Sequence, residues 1–246
     1  MIVAIIQARM GSDRLPGKVM LQACKKTFLE LLVERVKNSK TIDKIVVATT
    51  TEKKDDVIVE LCKKIDVAYF RGSESDVLAR YKKAADMQKA NIVVRLTADN
   101  PIMDPIIIDQ VVQTFKENNY DFVSNCYPYP RTYPEGFTVE VFSKKILDEA
   151  FRESKKPSDR EHVTFFMWMQ STRYKIFRVD YKQDFSKFRF TLDYKEDYEV
   201  IKKIFEALYP KNPLFTMEEV VTWIQKYPEI LKINSMISPN QGWKKA

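Results

Sequence analysis

Ile2-Val3-Ala4-Ile5-Ile6-Gln7-Ala8-Arg9-Met10-Gly11-Ser12-Asp13-Arg14-Leu15-Pro16-Gly17-Lys18 opens the chain, and the fold turns on how it is read. Residues 2–8 form an apolar run of strand length, as expected of a strand buried on both faces. The run leads into a loop holding two arginines, a lysine, a serine and two of the 5 glycines found in 246 residues. A buried strand that delivers a cationic, donor-rich loop suits a polyanion such as a triphosphate. Glycine lets backbone N–H groups approach phosphate oxygens, while Arg and Lys add charge and forked hydrogen bonds.

The loop differs from the common phosphate motifs. Five residues, not four, separate Gly11 from Gly17-Lys18, and Val19 stands where a Walker A loop places its hydroxyl. The dinucleotide pattern G-x-G-x-x-G is absent. Pro16 disfavours a helix starting at the glycines, so binding here rests mainly on side chains. A solvated loop between strand and helix is the competing reading.

Outward from the loop, strands and helices alternate. Apolar, β-rich runs at 45–49, 67–70, 92–96 and 122–125 predict four more strands. Helical patterns fall between the strands at 28–38, 55–64, 76–89 and 105–118, with capping-box starts at Thr27-x-x-Glu30 and Ser73-x-x-Asp76. This alternation predicts an α/β fold: a mostly parallel sheet with helices on both faces and ligands bound at the carboxyl ends of its strands. The second half changes character. Tyr127-Pro128-Tyr129-Pro130-Arg131-Thr132-Tyr133-Pro134 predicts a β-rich excursion around 127–142, with extended pieces at 137–142 and 174–179. A lid, a dimer arm and a rigid linker all fit that excursion. Further helices are expected from Ser158, where Ser158-x-x-Glu161 repeats the capping pattern, at 196–208, and at 217–226 behind Thr216-x-x-Glu219.

Composition narrows the function. At 45% hydrophobic residues the chain can bury a substantial core, and no apolar stretch approaches the ~18 residues of a membrane span. No charged n-region or cleavage site precedes the first strand, so no secretory signal is expected. Cys24, Cys62 and Cys126 are odd in number and form no CxxC pair, which points to free thiols in a reducing cytoplasm. The net charge of +7 is spread over mixed runs such as Lys53-Lys54-Asp55-Asp56, unlike the patterning of a nucleic-acid binder.

Two aspartates stand just past strand ends: Asp99 in Arg95-Leu96-Thr97-Ala98-Asp99-Asn100-Pro101, and Asp193 in Phe190-Thr191-Leu192-Asp193-Tyr194. Magnesium takes oxygen ligands, often one or two carboxylates plus substrate phosphates and waters. Asp99 and Asp193 facing the Arg/Lys loop therefore suit Mg²⁺-dependent phosphoryl transfer, although either alone also suits a helix cap or a turn. The one histidine, His162, lies in a predicted helix, where a structural role competes with substrate binding. No G-x-S-x-G elbow accompanies it.

The opening loop resembles the A-R-x-x-S-x-R-x-x-x-K motif of sugar cytidylyltransferases, the group of acylneuraminate and 3-deoxy-manno-octulosonate cytidylyltransferases. Arg160-Glu161-His162-Val163 and Leu192-Asp193-Tyr194-Lys195-Glu196-Asp197-Tyr198 add a resemblance to the branch named after spore coat polysaccharide biosynthesis protein F. The likeness runs from residue 1 to about 205. It implies a Rossmann-like nucleotide-diphospho-sugar transferase fold, usually dimeric, in one domain with a nucleotide half (1–126) and an acceptor and dimerisation half (127–246). By position, Arg9, Ser12, Arg14 and Lys18 would grip a triphosphate, with Ala8, Gly11 and Arg95 also at the nucleotide. Asp99 and Asp193 would hold Mg²⁺, and Glu135, Glu140 and His162 would face the acceptor. The implied reaction is attack by an acceptor oxygen on the α-phosphorus of CTP, releasing pyrophosphate. A guanylyl- or uridylyltransferase is the alternative. Two departures from the pattern stand out: Ala98 replaces a glycine common in relatives, and Gly136-Phe137-Thr138 replaces Gly-Leu-Asp.

Overall fold

The computed structural model describes residues 1–237. The opening run forms β1 (Ile2–Gln7), whose side chains are divided between the two faces of the sheet. Ile2, Ala4 and Ile6 enter one core, while Val3 and Ile5 enter the other, so both faces must be covered. A 3-10 turn (Lys18–Met20) and the short hairpin β2 (Gln22–Ala23) and β3 (Lys26–Thr27) lead to α1 (Phe28–Val36). Thr27 caps α1, its side chain accepting from Glu30 N at 3.1 Å.

Alternation continues through β4 (Lys44–Thr50), α2 (Asp56–Lys64), β5 (Ala68–Gly72), α3 (Val77–Met87), β6 (Ile92–Thr97), α4 (Pro105–Glu117) and β7 (Phe122–Ser124). The second half supplies β8 (Glu140–Ser143), α5 (Lys144–Glu153), α6 (Pro157–His162), α7 (Phe165–Trp168) and β9 (Ile176–Arg178). It closes with α8 (Lys195–Leu208), α9 (Met217–Lys226) and α10 (Pro228–Leu231). The main sheet has seven strands in the order β5-β4-β1-β6-β8-β7-β9. β8 alone runs against its neighbours. The core between α1, α4, α8, α9 and one sheet face is larger than the one under α3 and α5. No helix of the described residues is long and apolar enough to cross a membrane.

Four local expectations are corrected. The excursion around 127–142 is not a separate β-rich piece, because its one strand, β8, inserts between β6 and β7. Val141 and Phe142 fill opposite cores, which fixes that strand inside the sheet. Helix α5 was not anticipated: only Ile146, Leu147 and Ala150 are buried among charged residues, too thin a stripe to read. Ser158 does not cap α6, which starts at Pro157, whose ring pre-sets the first helical φ. Ser73 accepts from Asp76 N at 3.1 Å, but Asp76 itself is the cap, accepting from Ala79 N at 2.9 Å. By contrast, Thr216 and Glu219 form the expected reciprocal box at α9.

One close crossing positions the site. Glu135 pairs with Arg189 in an isolated bridge, and Phe190 N donates to Glu135 O at 2.7 Å. Gly136, at φ 107°, is pressed there: a Cβ would meet the Phe190 carbonyl carbon and oxygen at 2.5 Å. Leu192 N then donates to Asp99 O at 2.8 Å, so the segment carrying Asp193 runs directly past Asp99.

Candidate active site

A cavity of about 1550 Å³ opens at the carboxyl ends of β1, β4, β5 and β6, where a doubly wound sheet binds ligands. The opening loop is pinned at both ends. Met10 N donates to buried Asp55 at 2.7 Å, and Met10 O accepts from Ser12 N and Gly17 N, each at 3.0 Å. Gly17 has φ 68°, a left-handed turn that aims Lys18 into the cavity. Ala8 and Arg9 before the first pin, and Ser12 and Arg14 between the two, line the wall. Gly11 does not itself line it; its backbone passes Lys54 and Glu74 so closely that a Cβ would lie 2.7 Å from Lys54 Nζ.

The expected acidic pair meets the loop. Lys18 Nζ lies 2.8 Å from Asp193 Oδ1 and 3.3 Å from Asp99 Oδ2, and Arg14 lies 2.7 Å from Asp193 Oδ1. Thr97 Oγ1 donates to the other oxygen of Asp99 at 2.5 Å. Burial disfavours a charged Lys18, but Asp99 and Asp193 hold its pKa above the ordinary lysine value. Burial likewise pushes the Asp193 carboxyl up, yet Lys18, Arg14 and Arg189 hold it below the usual range. The Arg14 guanidinium also sits 5.1 Å over the Tyr194 ring, which adds a cation–π contact.

A buried network braces this pole from behind. Arg189 donates to both oxygens of Asp197, at 2.9 and 2.8 Å, and stands 3.6 Å from Asp193 Oδ2. Asp197 accepts in turn from Asp193 N and Tyr194 N, both at 3.1 Å, and from Asn234 at 3.0 Å. At N3 of α8 it reaches back to the N–H groups of the N-cap, Tyr194, and of the residue before it, and so fixes the backbone from which the Asp193 side chain projects.

Of the residues expected at the acceptor, only His162 reaches the cavity wall. It stacks on Phe165 with ring centroids 4.5 Å apart, and burial lowers its pKa. Val163, directly after it, holds φ 63°, a costly conformation for a β-branched residue. Glu135 instead faces Arg189 at 3.0 Å and Arg131 at 3.5 Å. Glu140 is fully buried, pairing with Arg95 and accepting from Thr164 at 2.6 Å. Both carboxylates are turned away from the cavity because a buried arginine needs an anion more than the cavity wall does. Their influence on a ligand passes through Arg189 and through Arg95, which does line the cavity. Glu140→Gln should therefore lower stability by about 3–5 kcal/mol, because it leaves the Arg95 charge buried and unpaired. Urea denaturation measures this, and a midpoint equal to wild type would contradict the pairing.

The cavity also takes in residues to which the sequence reading gave no role at the site: Glu52, the segment from Ser73 to Asp76, Arg80, Arg160 and Tyr194. A local signal was available for some of them, since Arg71-Gly72-Ser73 puts a glycine and a hydroxyl at another strand end. Arg160 arrives from α6 by its ion pair with Asp76, which no local pattern announces.

A family model described as cytidylyltransferase matches residues 3–226. The spore coat polysaccharide biosynthesis protein SpsF of Bacillus subtilis is 35% identical over 238 residues, covering 93% of this chain and 95% of that protein. A 3-deoxy-manno-octulosonate cytidylyltransferase of Chlamydia trachomatis serovar A is 32% identical over 173 residues, 66% of this chain and 65% of that one. The solved structure of a cytidylyltransferase from Leptospira borgpetersenii serovar Hardjo-bovis superposes with a TM-score of 0.88 at 35% identity, over 94% of this chain and 96% of that one.

Proposed function

The chain belongs to the cytidylyltransferase family, and from that premise we propose that it transfers the cytidylyl group of CTP to an oxygen of a sugar or sugar-like acceptor, releasing pyrophosphate. The observation that carries this reading is the meeting of Lys18 and Arg14 with Asp99 and Asp193 inside the cavity.

The same pole fits Mg²⁺. One cationic atom, Lys18 Nζ, already touches both carboxylates, so Asp99 and Asp193 are the residues that would hold a hard divalent ion. Among the described residues no group of three or more His, Cys, Asp or Glu converges, which leaves the remaining ligand positions to water and substrate phosphates. Asp99 and Asp193 would hold the Mg²⁺, which would supply positive charge at the phosphates. Arg9, Ser12, Arg14 and Lys18 bind the phosphate chain and offset the repulsion met by an incoming oxygen. Thr97 fixes Asp99, and the Asp197–Arg189 network fixes Asp193. His162, as a neutral imidazole next to Arg95, binds the acceptor, and Arg160 closes that end of the wall.

The SpsF relative supports surface polysaccharide as the destination of the activated sugar. Residues 127–246 serve the acceptor and a homodimer contact, in a cytoplasmic enzyme. Calorimetric titration with CTP, GTP and UTP in the presence of Mg²⁺ tests the nucleotide half without knowledge of the acceptor. CTP is expected to bind selectively. Preference for GTP or UTP would make the protein a guanylyl- or uridylyltransferase, and binding of none would overturn the assignment.

A further inference from the structure

His162 and Val163 are neighbours in sequence that face opposite ways. His162 ends α6 on the cavity wall, while Val163 is fully buried in the core under α3 and α5. A turn that β-branched residues avoid makes this possible. Val163 holds φ 63° and ψ −57°, and Thr164 N donates to His162 O at 2.6 Å across it. This is the rare form of the γ-turn, strained for a residue with a Cβ. Glycine would adopt it at less cost but would give up the buried side chain.

The surroundings hold the turn in that state. Val163 N donates to Asp159 O at 3.1 Å, and the Val163 side chain shares its core with Met167 of α7. Thr164, also fully buried, donates through Oγ1 to Glu140 at 2.6 Å. Glu140 lies on β8 inside the sheet and pairs with Arg95, so the turn is tied to the sheet itself. Burying α6 does not demand such a turn, because none of that helix's residues is buried. Arg160 secures α6 separately, pairing with Asp76 and donating to Phe151 O at 2.9 Å. The turn instead fixes His162. By reversing the chain it brings Phe165 onto the imidazole, with ring centroids 4.5 Å apart. Trp168 braces Phe165 edge-on at 5.4 Å and stacks on Tyr127 at 5.0 Å. Strain kept at a cavity wall, by contacts that over-determine it, points to geometry held for a ligand.

We propose that Val163 and Thr164 are positioning residues of the acceptor site: their strained turn, anchored in the core and on Glu140, holds the His162 imidazole in the cavity wall. The inference rests on the transfer reading above, in which His162 binds the acceptor, and adds how that ring is kept in place.

His162 is the sole histidine, so its imidazole signals in a proton NMR spectrum of the full chain identify themselves. Two quantities report where the ring sits. One is the upfield shift imposed by the stacked Phe165 ring. The other is the pKa, lowered by burial and by Arg95 against the opposing pull of Glu161 and Asp159. Val163→Gly relieves the strain and removes the anchor; Thr164→Val keeps the shape but loses the hydroxyl. In both, the upfield shift should be largely lost and the pKa should rise toward the ordinary histidine value. Thr164→Ser keeps the hydroxyl and should restore both. Thr164→Val decides the matter should Val163→Gly fail to fold. Wild-type ring signals in the folded variants, with only the melting temperature lowered, would overturn the inference. Calorimetric titration of wild type with CTP and Mg²⁺ separates this from the transfer reading. If CTP binds and the variants leave the ring signals unmoved, this inference alone fails. If wild type binds no CTP, the acceptor role falls with the transfer reading, whatever the ring signals do.

Discussion

Asp193→Asn should leave a folded protein whose turnover is reduced by about 10²–10³-fold, by analogy with loss of one preorganised electrostatic group. The size follows from the position of Asp193. Its carboxylate faces Lys18 at 2.8 Å, Arg14 at 2.7 Å and Arg189 at 3.6 Å, so one negative charge organises three cations. The amide can still hydrogen-bond to one or two of them but offers neither the charge nor the second anionic oxygen that a hard divalent ion requires. The fold should survive because the backbone here is held by other atoms: Leu192 N on Asp99 O, and Asp193 N and Tyr194 N on Asp197. Pyrophosphate release followed over a Mg²⁺ titration separates the two effects. The half-saturating metal concentration should rise as the maximal rate falls. A variant with wild-type metal dependence would remove Asp193 from the metal pole.

This pole was legible in the sequence because its parts are local. A cationic loop after an apolar run, and aspartates just past two strand ends, can be read without knowing how the chain folds back. The carboxylates Glu135 and Glu140 were not legible in the same way. Glu140 stands opposite Arg95 only through the antiparallel register of β6 and β8, and Glu135 meets Arg189 only at the crossing beside Gly136. Whether a glutamate faces a ligand or neutralises a buried arginine is settled by such distant pairings. Local pattern also failed at α5, whose fully buried side chains are only Ile146, Leu147 and Ala150 among charged neighbours. Arg80 is a different case: in the sequence it is one more charge on an amphipathic helix, and its burial, with Nη1 on Ser73 O and Nε unpartnered, shows only in the structure.

Lys18→Met should be nearly inactive, by about 10²–10³-fold or more, and yet bind a divalent ion more tightly than wild type when nucleotide is absent. Lys18 Nζ pairs with both Asp99 and Asp193, the carboxylates that would hold the metal, and a second positive charge brought to them would be repelled by it. A metal ion held by Asp99 and Asp193 would therefore require Lys18 to leave a buried position with two anionic partners. A triphosphate gives the ammonium somewhere favourable to go. Metal and nucleotide should then assist each other's binding by about 5–150-fold, in equal measure in both directions. With methionine at position 18 the barrier to the metal is gone, and so is most of the mutual assistance. Mn²⁺ titrations with and without a non-hydrolysable CTP analogue read both quantities. Arg14→Met is the control for simple loss of charge: Arg14 touches Asp193 but not Asp99, so its removal should tighten metal binding less. Equal tightening in both variants would reduce the effect to general electrostatics. Unchanged metal affinity in Lys18→Met would show that the lysine does not stand where the ion binds.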